Sequence, residues 1–451
     1  MSGQRTQSVT PTTDLADRFA RSRAYREKAH DIIPGGAHTY AKGDDQYPLH
    51  APAAIVRGEG ARVWDVDGNE FIEYGMGLRA VTLGHAYPEV VEAAARQMRL
   101  GANFVRPAAL ELEYAEALLE VIPAADMVKF AKNGSDTTTA AVKLARAVTG
   151  RDVVAICADH PFFSVDDWFI GTTDMNAGIP QAIRDLTITF PYDDLDAARR
   201  LFDENPDRIA CLVLEPAKYD DPDPGYLPGL RSLCDERGAL LVLDEMITGF
   251  RWALGGAQDV YGVRPHLSTF GKGMANGFSV SALVGEREFM ERGGLRHDGE
   301  RVFLLSTTHG AETHALAAAL ATLRVYQSEP VIEALHRQGE RLRRGVDEVI
   351  RHHGLGDYVD VVGRPCNLVF GTAGPDGKPS QTFRALFMQE LIRNGILAPS
   401  FVVSYSHGDE EIDRTVEAVD AALDVYGRAL DDGADPFLEG GPTRVVFRRY
   451  N

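Results

Sequence analysis

Cysteine is scarce in this chain: Cys157, Cys211, Cys234 and Cys366 are the only 4 among 451 residues. They are scattered, three of them in or beside apolar runs, with neither metal-ligand spacing nor a disulfide framework. A reducing, cytoplasmic setting is the expectation. Long apolar runs are missing too. No stretch approaches the roughly 18 apolar residues of a membrane-spanning helix, and the opening MSGQRTQSVTPTTD lacks the apolar segment of a signal peptide. Positive charge is in deficit: 47 Lys and Arg face 66 Asp and Glu, a net −19. That balance excludes nucleic acid and anionic membrane from the expected partners. Internal repeats and low-complexity tracts are also absent.

What remains is ordinary globular material, 44% hydrophobic and 25% charged, in a chain too long for one core. From Met127 to Gly285 short apolar runs alternate with helical segments, which predicts an α/β domain around a mostly parallel sheet. The strand candidates are Met127–Phe130, Val153–Ile156, Ile209–Leu214, Leu240–Leu243 and Leu267–Phe270. A small meander is expected over 53–74, with a turn at Asp67-Gly68-Asn69. Residues 1–13 read as polar and disordered, and a first helix is expected from Asp14 to Asp31. After Glu312 long helices accompany a few strands, the composition of a smaller α+β domain. The expected division is an N-terminal segment 1–65 belonging to the small domain, a large domain 66–311, and the C-terminal small domain 312–451.

Chemistry concentrates between Leu240 and Gly285. The run LLVL ends in Asp244 and Glu245, where open α/β sheets bind ligands. Further on, Lys272 stands between Gly271 and Gly273 after the run LSTF. An aspartate at a strand end and a lysine in a glycine setting suit pyridoxal phosphate: the amine forms a Schiff base and the acid keeps the pyridine nitrogen protonated. Either residue alone fits a plainer role, a helix cap or a solvated loop lysine. Another anion site is suggested at Asn133-Gly134-Ser135-Asp136-Thr137, where a glycine, a hydroxyl and free N–H groups open a helix. A simple capped helix start gives the same pattern.

Together DEMITGFR and STFGKGMANGFSVSALVG resemble the aspartate and lysine segments of the class III aminotransferases. Within that family they are most similar to the glutamate-1-semialdehyde 2,1-aminomutase branch, and the resemblance covers roughly residues 33 to 426. It implies a fold-type I transferase with pyridoxal 5′-phosphate as cofactor, Lys272 and Asp244 as catalytic residues, and Gly134 and Ser135 at the phosphate. Phe162 would stack on the cofactor ring, with Phe162-Phe163-Ser164 standing where the family has Tyr-His-Gly. Glu215 would lie near the ring. Thr308 would reach the phosphate of a second subunit, which implies a homodimer with shared active sites. His309 beside it is expected to be packed.

By the same resemblance the loop GGAHTYAKGDDQYP brings Thr39 and Lys42 to the substrate, with lysine in place of the family's arginine. Arg79 occupies a loop where many members have small residues or tryptophan, and its guanidinium could clamp a carboxylate. The carboxylate-binding arginine that many transaminases carry near the C-terminus has no counterpart in LAPSFVVSYSHGDEEID. Three functions stay open: transfer of an amino group from an amino acid to a ketone or aldehyde acceptor, the favoured reading; an intramolecular aminomutase; and a non-catalytic cofactor-binding protein.

Overall fold

The computed structural model describes residues 15–450, so the segment expected to be disordered lies outside the described residues. The expected first helix is two helices, Leu15–Arg18 and Ala20–Ile32. The break follows from a distant cap: the carboxylate of Asp67 accepts from the backbone N–H groups of Arg21 (2.6 Å) and Ser22 (2.9 Å). A carboxylate at a helix start offsets orphan donors and the helix dipole.

Strands β1 (Ile55–Glu59), β2 (Arg62–Asp65) and β3 (Glu70–Glu73) form the antiparallel meander. Asp65 shapes its turn by accepting from Asp67 N and Asn69 N. The pairing of β2 with β3 carries chain from both sides of the 65/66 division into one sheet.

The central sheet has seven strands: β4 (Met127–Ala131), β5 (Val153–Cys157), β6 (Thr187–Phe190), β7 (Ile209–Leu214), β8 (Leu240–Asp244), β9 (Leu267–Phe270) and β10 (Ser281–Gly285). Their spatial order is β4-β10-β9-β8-β7-β5-β6. All observed pairings are parallel except those of β10, which runs antiparallel to both β4 and β9. Every residue of β5, β7 and β8 is buried, as continuous apolar strands covered on both faces should be. One face is covered by the helix Gly134–Thr149 through Ala141, Leu144 and Ala145. Leu230, Leu233 and Cys234 of the helix Tyr226–Arg237 cover the other. Gly150 and Gly238 end these helices in the left-handed conformation that glycine adopts without strain.

The smaller part packs three long helices, Val331–His353, Gln381–Arg393 and Asp409–Asp432, beside β11 (Val359–Val362) and β12 (Val369–Thr372). A two-residue strand, β13 (Ile396–Leu397), joins parallel to β3, tying the C-terminal part to the N-terminal meander. Among the described residues no helix is long and apolar enough to cross a membrane.

Candidate functional site

The C-terminal edges of β8 and β9 bring Asp244 and the segment leading to Lys272 side by side. Asp244 is buried, and its Oδ1 accepts from Met246 N and from the hydroxyl of Thr269, each at 3.0 Å. Among the described residues no donor reaches Oδ2. Its neighbour is held differently: the carboxylate of Glu245 accepts from Ala257 N, Gln258 N and the hydroxyl of Thr248. Both Glu245 oxygens are therefore engaged in folding the following loop, and Asp244 is the acid left with an open face. Lys272 has a left-handed φ of 44°, a strained conformation for a long side chain and one that concentrates at functional sites. Met246 explains the glycines around it. A Cβ on Gly271 would lie 2.6 Å from the Met246 sulfur, and one on Gly134 would lie 3.0 Å from it. Asn276 closes the lysine turn by accepting from Leu83 N and donating to Gly84 O, both at 2.9 Å.

Burial governs the charges. It pushes Asp244 up to about 6, opposed by Lys272 and by the two donors to Oδ1. Burial also lowers Lys272, against the pull of Asp244 and Glu215, while Arg79 and Arg251 reinforce the lowering. Glu215 is raised by burial and then by the Asp244 charge. The lysine amine is thus held toward its uncharged, proton-accepting form.

At the start of the helix Gly134–Thr149, Asp136 accepts from Asn133 N (3.0 Å), capping the turn. The Ser135 oxygen accepts from Val165 N (3.0 Å) and Thr138 donates to Phe163 O (2.7 Å). Thr139 binds both Ser164 and Asp166. These hydroxyls fix the loop that carries Phe162 and Phe163. Phe163 is buried, whereas Phe162 is 43% exposed and meets Phe169 edge-on at 5.5 Å. His160, in the same loop, escaped sequence reasoning because a lone histidine carries no pattern. Its Nδ1 accepts from Glu215 N at 2.9 Å, which places the ring proton on Nε2. Burial lowers it to about 3, so it stays neutral and orients the Glu215 backbone.

Arg79 ends an unusual turn. Met76, Gly77, Leu78 and Arg79 have φ of 42°, 60°, 59° and 72°. Left-handed helical backbone costs about 1–2 kcal/mol for each non-glycine residue, so the surroundings must impose it. Glu73 Oε1 accepts from Met76 N (2.7 Å), and Arg79 Nε donates to Asn367 Oδ1 (2.8 Å). Arg251 Nη2 donates to Arg79 O at 3.0 Å. Arg251 itself is 1% exposed, and its Nη1 is bound by the carbonyls of Cys366 and Val403. It was visible only as the last letter of DEMITGFR.

Among the described residues the other expected residues make no hydrogen bond or ion pair with this centre. Lys42 is exposed and Thr39 half-buried on the turn Tyr40–Lys42. Neither side chain hydrogen-bonds Lys272, Asp244, Glu215 or Arg79 among the described residues. Thr308 is exposed, with its carbonyl bound by Asn103 Nδ2 at 2.9 Å. His309, expected to be packed, is instead 63% exposed and pairs with the carboxylate of Glu312, itself 19% exposed, at 3.2 Å.

A lysine whose charge is disfavoured by desolvation, a buried carboxylate with one free oxygen, and a glycine-opened helix start carrying a serine fit pyridoxal phosphate. The sheet and this site define a fold-type I pyridoxal-phosphate-dependent transferase. Residues 45–419 match the model of the aminotransferase class-III family, and the chain belongs to it. It is 31% identical over 424 residues to a glutamate-1-semialdehyde 2,1-aminomutase of Methanosphaera stadtmanae, covering 89% of this chain and 98% of that one. It is 30% identical over 416 residues to a 3-aminobutyryl-CoA aminotransferase of Cloacimonas acidaminovorans, covering 90% and 97%. Among solved structures, the FumI protein of Sphingopyxis sp. MTA144, in a form carrying PLP, is similar with a TM-score of 0.83 and 28% identity, covering 91% and 98%. The protein is a pyridoxal-phosphate-dependent enzyme.

Proposed function

We propose that this enzyme is a transaminase that takes an amino group from an amino acid donor and delivers it to a ketone or aldehyde acceptor, such as a sugar or a secondary-metabolite intermediate. The observation that carries the reading is the convergence of half-buried Lys272 and buried Asp244 at the adjoining ends of β9 and β8. When bound, pyridoxal phosphate supplies an aldehyde that holds the amino group and a ring that withdraws electrons from the reacting carbon. The amine of Lys272, whose charge is disfavoured by desolvation, would take a proton from the substrate carbon and return it. The open Oδ2 of Asp244 pairs with the ring nitrogen, and the two donors on Oδ1 keep the carboxylate oriented. Glu215 would border the ring, Phe162 would stack on it, and Gly134 with Ser135 would hold the phosphate at the helix start.

Arg79 anchors a substrate carboxylate, and Thr39 and Lys42 close over the substrate. Thr308 completes the phosphate site of a second copy. Support for that homodimer comes from the exposed apolar side chains Leu100, Phe104, Val105 and Leu112, adjoining the Asn103 contact to Thr308. The four cysteines are free and buried, in keeping with a cytoplasmic location.

Transfer is favoured over mutation because the resemblance to the aminomutase branch fails at the substrate: Lys42 replaces arginine, Phe162-Phe163 replaces Tyr-His, and Arg79 adds a cation. Lysine is a poorer bidentate partner for a carboxylate. The test is to mix cofactor-loaded protein with glutamate or alanine and no acceptor. A transaminase releases one keto acid per site and loses the yellow band of the lysine-bound cofactor. If common amino acids leave the band intact while a diamine or amino aldehyde is isomerised without a second substrate, the enzyme is a mutase.

A further inference from the structure

Residues 433–450 lie beyond the part of the chain that matches the family. They follow the helix Asp409–Asp432 and form neither helix nor strand. A segment of that kind keeps one path only where contacts hold it, and here they do so along its length. Gln389 of the helix Gln381–Arg393 donates to Phe437 O and accepts from Glu439 N, each at 2.9 Å. Glu439 also pairs with His50 at 3.1 Å. Thr443 is buried, and its hydroxyl donates to Gln381 Oε1 at 2.8 Å. Phe447 then packs against the apolar cover of the central sheet, edge-on to Phe169 at 6.3 Å.

On the way the segment crosses the loop that carries Thr39 and Lys42. Arg444 N donates to Asp45 O at 2.9 Å, and Arg448 Nη2 pairs with Asp45 Oδ2 at 2.7 Å. Gly440 lets the backbone lie against the loop: its φ is 92°, and a Cβ there would meet Leu49 Cβ at 2.7 Å. The loop itself has only two short turns, Tyr40–Lys42 and Asp44–Gln46. Its adjacent acids are held by different elements. Asp44 is bound by Arg26 and His30 of the helix Ala20–Ile32, each at 3.0 Å, and Asp45 by the C-terminal segment. The turn Tyr40–Lys42 precedes these acids directly, so their anchorage fixes it. At the far end Phe169 meets Phe162 at 5.5 Å and Phe163 at 5.7 Å as well as Phe447.

We propose that residues 433–450 are a strap that positions the substrate loop, with Asp45 as the point of attachment, Arg448 as its ionic hold and Phe447 as its anchor beside the loop of Phe162. Arg448 and Phe447 are therefore positioning residues for the reaction. The strap couples the substrate loop to the loop that carries Phe162, two segments far apart in the chain. A partly exposed ion pair adds little to global stability, so the hold of Arg448 bears on where the loop sits rather than on whether the chain folds. The functional consequence rests on the reading that Thr39 and Lys42 face the substrate.

The test is amide hydrogen exchange of the cofactor-loaded full chain, read by mass spectrometry over residues 40–47. The amides to follow are those of Lys42, Gly43, Gln46 and Tyr47, each bonded within the two turns. Arg448→Gln is expected to speed their exchange about threefold, and Phe447→Ala to do the same without altering a partner of Asp45. Arg448→Lys should restore the wild-type rate in part, and exchange over β7 and β8 should stay unchanged throughout. Unchanged exchange over 40–47 in either loosening variant overturns the proposal, as does a rise that spreads equally to β7 and β8. Circular dichroism checks the fold, and Arg448→Gln decides should Phe447→Ala unfold. A half-reaction with glutamate or alanine then separates the strap from the reading beneath it. Looser turns with a raised half-saturating concentration and a near-normal limiting rate support both. Looser turns with unaltered kinetics support the strap and count against Thr39 and Lys42 as substrate residues.

Discussion

The hydroxyl of Thr269 donates to Asp244 Oδ1 at 3.0 Å, tying the end of β9 to the end of β8. The residue that precedes the lysine turn by two positions thereby orients the acid that faces it. Lysine and aspartate are set against each other by one strand pairing, and changes to either have separable outcomes.

Lys272→Ala is expected to abolish both turnover and the yellow absorption of the loaded protein. Far-ultraviolet circular dichroism should be unchanged, because the lysine amine makes no hydrogen bond that the fold needs. Absorbance after loading with pyridoxal phosphate, read with the half-reaction, checks it. Turnover near the wild-type value would remove Lys272 from the reaction.

Asp244→Asn keeps the shape and the two bonds to Oδ1 but removes the charge. The expected loss is roughly 10²–10³-fold in kcat, the size seen when one electrostatic contact to a developing charge is lost. Cofactor should still bind, since the helix start at Gly134 is untouched. Stopped-flow half-reactions beside equilibrium dialysis separate the two effects.

The same aspartate sets a pH dependence in the cofactor-free protein. Its folded carboxyl is raised to about 6 from an ordinary 3.8. A raised acid binds its proton more tightly when folded, so the stability it contributes is complete below about pH 4. That contribution is lost as pH rises through 6, on the order of 2–3 kcal/mol. Urea unfolding of wild type and Asp244→Asn at pH 4.5 and 6.5 should show a steeper fall in the wild type, the fall left in the variant coming from the raised carboxyls of Glu215 and Glu245. Equal pH slopes would disprove it.

Arg251→Met should behave as a fold variant. It leaves the carbonyls of Cys366, Val403 and Arg79 without their donor, at about 1–3 kcal/mol for each group that water cannot reach. A drop of roughly 3 kcal/mol in urea unfolding is expected. The loosened Arg79 should also raise KM for carboxylate substrates more than it lowers kcat, which steady-state kinetics would show.

Sequence patterns revealed β5, β7 and β8 because strands buried on both faces must be apolar throughout, and Gly150 and Gly238 marked where helices stop. The strands β6, β10 and β13 went unseen: TITF and SALVG are short runs set among loops, and two residues carry no periodicity. Asp244 and Lys272 were legible because each follows an apolar run directly. The turn Met76–Arg79 was not, since left-handed backbone at Met, Leu and Arg has no sequence signature and is imposed by Glu73, Arg251 and Asn367.

The reversed direction of β10 has a consequence for how the site comes together. Parallel neighbours such as β7 and β8 must wait for a crossover of a dozen or more residues. The lysine turn instead bridges two adjacent antiparallel strands, β9 and β10, through residues 271–280. Its ends meet by local loop closure, with little sequence separation to overcome. The reactive lysine therefore rides on the cheapest pairing of the sheet to nucleate, and the contacts of Asn276 with Leu83 and Gly84 then fix its turn against distant chain.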